Sequence, residues 1–86
     1  MEINDARQSI YDYFGENPIY SGELQEINND YQITVIKRSH NEPRHGRHNE
    51  EIQIKTRTIT RQTFERLTVE RLKAVIKEIV DEFNQI

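Results

Sequence analysis

The side chains best equipped for chemistry lie in one stretch, KRSHNEPRHGRH, running from Lys37 to His48. It holds Lys37, Arg38, Arg44 and Arg47 with three histidines, His40, His45 and His48, around Pro43 and Gly46. Three chemistries fit. Neutral imidazoles ligate transition metals, and His40, His45 and His48 could converge with Glu42 or Glu50. The spacing H-x4-H-x2-H matches no established metal cage, however, and a loop is a poor preorganised site, so no metal is expected. A histidine beside arginines also suits metal-free RNA cleavage, with imidazole moving the proton and the cations holding phosphate charge. The third chemistry is electrostatic capture of a phosphate backbone or an acidic protein. The chain has no cysteine, which excludes a thiolate nucleophile, a thiolate metal site and a disulfide framework. Gly15, Gly22 and Gly46 are too scattered to cradle a phosphate, so no cofactor is implied.

Charge is distributed unevenly around this stretch. Met1 to Ile36 carries one base, Arg7, against seven acids (Glu2, Asp5, Asp12, Glu16, Glu23, Glu26 and Asp30), a net of -6. Lys37 to Lys73 carries ten bases against five acids, and the last thirteen residues hold one base against three acids. An acidic front joined to a basic centre can meet a basic partner with one part and an acidic partner with the other. The overall charge of -3 argues against a domain made chiefly for nucleic acid, which is usually basic.

The elements that must position these residues follow from periodicity. Asn4 or Asp5 can cap a first helix in which Ile3, Ala6, Ile10, Tyr13 and Phe14 recur at helical spacing before Gly15. A weak strand from Ile19 to Ile27 leads into the turn residues Asn28, Asn29 and Asp30. Two alternating strands follow, Tyr31 to Arg38 and Glu51 to Thr60. The first points Tyr31, Ile33 and Val35 inward, and the second Ile52, Ile54, Thr56 and Thr58. That assignment leaves Gln32, Thr34, Ile36, Arg38, Gln53, Lys55, Arg57 and Ile59 on a polar, basic outer face. The dozen residues between the strands exceed an ordinary hairpin loop and point to a functional excursion over 37 to 50. Arg61 to Leu67 reads as a turn or short helix anchored by Phe64 and Leu67. The closing helix starts after Thr68, with an apolar stripe of Val69, Leu72, Val75, Ile76, Ile79, Val80, Phe83 and Ile86. The expected fold is a single α+β domain, α-β-β-β-α, its three-stranded antiparallel sheet packed by a short N-terminal and a long C-terminal helix. The opening MEINDARQSI has no apolar run, so neither a signal peptide nor a spanning segment is expected, and the cytoplasm is the default compartment.

Three resemblances accompany this layout. The run YQITVIKRSHN, a polar loop, EEIQIKTR, Phe64 and a long closing helix, in a small cysteine-free chain, resemble phage-encoded anti-CRISPR proteins, including inhibitors of Cas9. The likeness covers about half the chain and implies a non-enzymatic inhibitor whose partner is a nucleic-acid-handling effector. RSH at Arg38 to His40, followed by IQIK and LTVERLKAVIKEI, is similar to the HicA-type toxins, with Arg38 in place of their glycine, and implies a small ribonuclease with His40 catalytic. The α-β-β-β-α order and NPIYSGEL are similar to double-stranded-RNA-binding domains. The last helix begins TVERLKAV rather than with their lysine cluster, so duplex binding does not carry over.

The function expected is thus a non-enzymatic binding protein acting by charged contacts. Its candidate contact residues are Lys37, Arg38, His40, Arg44, His45, Arg47, His48, Lys55 and Arg57 on the basic side. Glu16, Glu23, Glu26 and Asp30 serve on the acidic side, able to mimic nucleic acid against a basic channel. The alternatives are a nucleic-acid binder or ribonuclease using the histidine loop, and a virion or tail-assembly component. The stripe of the last helix serves the core, with a homodimer seam as its other use.

Overall fold

The computed structural model describes residues 1–41 and 49–85. Helix α1 spans Ile3–Phe14, strands β1, β2 and β3 span Tyr20–Ile27, Asp30–Asn41 and Asn49–Ile59, and helices α2 and α3 span Arg61–Glu65 and Val69–Phe83. The strands form one antiparallel sheet in the order β1-β2-β3, as the periodicity predicts.

Each element has a local cause. Helix α1 starts earlier than a cap at Asn4 or Asp5 would allow. Its N-cap is Glu2, which makes no side-chain cap bond. The reason is tertiary, because the ammonium of Met1 donates to the Phe64 and Glu65 carbonyls at 3.2 and 3.1 Å and ties the chain start to α2. The helix ends at Gly15, whose φ of 54° is the left-handed conformation that suits glycine. Asn28 and Asn29 both have positive φ, 52° and 66°, the two-residue turn that matches the twist of a hairpin. Thr68 caps α3 as expected, accepting from the Arg71 N–H at 3.2 Å, and Thr60 caps α2 by accepting from the Thr63 N–H.

The buried residues form one cluster. Ala6 and Ile10 of α1 meet Leu24, Ile33 and Val35 of the sheet, Phe64 and Leu67 of the α2 segment, and Leu72, Val75, Ile76 and Ile79 of α3. Helix α1 lies unusually close to β1, since a Cβ at Gly22 would stand 2.7 Å from Phe14 and 2.8 Å from Ile10. No helix among the described residues is long and apolar enough to cross a membrane.

Two expectations about the β2-β3 hairpin are corrected. The first concerns its length. The ladder continues past the expected strand end at Arg38 through His40↔Glu50 to Asn41↔Asn49, so Ser39 to Asn41 belong to β2, and Asn49 and Glu50 to β3, rather than to the loop. The polar side chains there hid a strand whose stability comes from backbone pairing. Residues 42 to 48, with Arg44, His45, Arg47 and His48, lie outside the described residues.

The second correction concerns which way β3 faces. Tyr31 pairs with Ile59, Ile33 with Arg57 and Val35 with Lys55, and paired residues share a face. Ile59, Arg57 and Lys55 therefore lie on the helix-covered side, while Ile52, Ile54, Thr56 and Thr58 lie on the open side. The polar, basic outer face does not exist as one surface. Ile59 is buried, and Ile52 and Ile54 are 53% and 60% exposed. The inversion is tolerated because Arg57 reaches from the rim of the core to Glu78 at 2.7 Å and Glu82 at 2.6 Å on α3. These carboxylates stand four residues apart, on one face of the helix.

Arg57→Ala should lower stability by about 1 kcal/mol at low ionic strength, since both pairs are partly exposed and screened. Most of that difference should vanish in about 1 M salt, where the screening length is about 3 Å. Urea denaturation of both proteins across a salt series measures it.

Candidate interaction surface

Charged side chains among the described residues all stay at the surface, since none is buried. They divide into those engaged within the fold and those facing solvent without an ion pair. Lys37, Lys55, Arg57 and Arg61 are engaged, whereas Arg66, Arg71, Lys73 and Lys77 are exposed and form no ion pair among the described residues. Arg57 holds Glu78 and Glu82, and Arg61 holds Glu26 at 2.9 Å. Arg61 also donates from Nε to the Asn29 carbonyl, and its backbone N–H donates to the Asp30 carboxylate. The ammonium of Lys37 sits 6.0 Å from the centroid of Tyr20, and that of Lys55 sits 5.5 Å from the centroid of Phe83. The two rings are themselves in contact, 6.0 Å between centroids. Both lysines thus lay their stems on an aromatic pair at the rim of the core.

The candidate basic residues are therefore not gathered on one face. Lys37, Lys55 and Arg57 lie on the helix side. Arg38 is exposed on the open side, opposite Ile52. His40 occupies β2 opposite Glu50.

The candidate acids also separate. Glu26 and Asp30 belong to the hairpin end and are held by Arg61. Glu16 is exposed just past α1, and Glu23 is exposed on β1. Asp5 and Asp12 stand seven residues apart along the exposed side of α1, with Glu16 just after it, whereas Glu23, paired with Thr34, faces the open side of the sheet. Asp12 accepts a hydrogen bond from Gln8 at 2.9 Å. None of Asp5, Asp12, Glu16 and Glu23 forms an ion pair among the described residues. Between α1 and β1 runs an open groove of about 400 Å³, lined by Arg7, Ile10, Tyr11, Gly22, Glu23, Leu24 and Gln25. Tyr11, 68% exposed, stands at its side as an aromatic anchor.

Sequence reasoning missed two features of this surface. Tyr11 was passed over because it falls between the apolar positions of α1, where an aromatic out of phase is itself the signal. The open sheet face, with Ile36, Ile52 and Ile54 side by side, was missed through the inverted facing of β3. The Arg57 match to Glu78 and Glu82 was the clue to that facing. Among the described residues no group of histidine and carboxylate side chains could hold a metal ion. No family model matches the chain, and no match is found among curated proteins or solved structures.

Proposed function

We propose that this chain is a small non-enzymatic binding protein, an inhibitor of a nucleic-acid-handling effector of the anti-CRISPR kind, carried by a phage or mobile element and acting through charged surface contacts. One observation carries the reading. Lys37, Lys55, Arg57 and Arg61 are engaged by the chain's own carboxylates and rings, whereas Asp5, Asp12 and Glu16 by α1 and Glu23 on β1 are exposed and form no ion pair among the described residues. Exposed, unpaired carboxylates are attracted to a basic, phosphate-binding channel, where they compete with nucleic acid for the same cations. Tyr11 and the neighbouring groove add the apolar anchor that a charged rim lacks. The basic stretch from Lys37 to His48 supplies a second point of contact, for an acidic part of the same partner.

A pull-down from a bacterial lysate, run with and without nuclease, tests this reading. A nucleic-acid-handling protein should be retained equally in both arms. Retention that disappears with nuclease, or retention of nucleic acid alone with a steep loss between about 50 and 200 mM salt, would replace the inhibitor by a nucleic-acid binder.

A further inference from the structure

The two edges of the sheet are treated differently. In an antiparallel ladder each residue turns its N–H and C=O to the same neighbour, and the neighbour alternates along the strand. The Arg38 N–H donates to the Ile19 carbonyl at 2.7 Å, so even-numbered residues of β2 bond toward β1 and odd-numbered ones toward β3. Their partners Gln53, Lys55 and Arg57 are thereby engaged, and Ile52, Ile54, Thr56 and Thr58 direct their N–H and C=O groups outward. On β1 the outward Leu24 carbonyl is covered, because Arg7 Nε donates to it at 3.3 Å. Among the described residues no such bond reaches Ile52 or Ile54. An eleven-residue edge with open backbone groups is a template for another strand.

We infer that this edge pairs with itself, β3 of one copy lying antiparallel to β3 of a second copy about a two-fold axis through Gln53, so that the two sheets join into one of six strands. The sequence around Gln53 is self-complementary. Glu51 comes opposite Lys55 of the second copy, Ile52 opposite Ile54 of the second copy, and Gln53 opposite its own equivalent. The outward groups of Ile52 and Ile54 then meet as hydrogen-bonded pairs, and each residue keeps the face it has in the single chain. Neighbouring registers do worse. An axis through Lys55 sets two lysines opposite each other, and one through Ile54 sets Glu51 against Arg57, which Glu78 and Glu82 already hold. The helices do not obstruct the pairing. Helix α3 reaches β3 at Arg57 and Lys55 and ends at Phe83, against Lys55, short of the axis. On the open face, Ile36 lies beside Ile54, so the two copies bring six isoleucines into one apolar patch.

Sedimentation equilibrium over micromolar to millimolar protein tests the inference. The wild type should approach twice the chain mass of 10.3 kDa. Ile54→Pro removes an outward N–H while leaving the β2-β3 ladder intact, and should be monomeric with an unchanged circular dichroism spectrum. Lys55→Glu should weaken the dimer by about tenfold by facing Glu51, and Glu51→Lys combined with Lys55→Glu should restore it. A wild type that is monomeric throughout overturns the inference. So does a dimer that folded Ile54→Pro and Lys55→Glu leave unchanged, since it would use another surface.

Discussion

Phe64→Ala should cost about 3–5 kcal/mol of unfolding free energy, the usual range for removing a buried aromatic ring. Phe64 is 2% exposed and stacks on Tyr31, with centroids 3.8 Å apart and planes 22° apart. It sits on a five-residue helix that contributes no other buried side chain, so nothing in α2 can shift to fill the space. Its carbonyl also receives the Met1 ammonium, which links the ring to the entry of α1. A domain of 86 residues has about 4–13 kcal/mol in total at the usual stability per residue, so the substitution removes much of it. Urea denaturation should show a much lower midpoint with a similar slope. A loss under about 1 kcal/mol would mean that α2 is not part of the core.

Much of this core was readable from residue patterns. The stripe of α3 from Leu72 to Ile79, the Thr68 cap, the Asn28-Asn29 turn and the anchoring of Phe64 and Leu67 each follow from a local rule. The facing of β3 was not readable in that way. Ile52 and Ile54 have one parity and Ile59 the other, and the strand cannot satisfy both. The single buried position opposite Tyr31, together with an arginine held by two glutamates of α3, outweighs two isoleucines beyond the reach of the helices. Local alternation is blind to that long-range choice. The extent of the hairpin was hidden for a related reason, because Ser39 to Asn41 pair through backbone groups while their side chains carry no apolar signal.

The candidate contacts were readable as residues but not as surfaces. Charge counting puts seven acids in the first 36 residues. It cannot show that Arg61, which follows β3, takes up Glu26 and Asp30, or that Glu23 faces the side of the sheet away from α1 and its acids. Nor can it show that Lys37, Lys55 and Arg57 settle on the helix side and Arg38 on the other.

The second large effect concerns the four exposed acids without ion pairs, and it is also the most direct test of the function proposed. Asp5→Lys, Asp12→Lys, Glu16→Lys and Glu23→Lys combined change exposed side chains that form no ion pair among the described residues, so the fold should persist. Against a basic channel, each reversal replaces an attraction by a repulsion, and together they should weaken binding by about 100-fold or more at low ionic strength. The measurement is the affinity of the partner captured with the wild type, compared between this variant and Arg38→Glu, Arg44→Glu and Arg47→Glu combined. The account predicts near-complete loss for the acid-reversed protein and a smaller loss for the arginine-reversed one. Unchanged affinity on reversing the four acids, with the arginine variant inactive, would contradict it and place the interface on the basic hairpin.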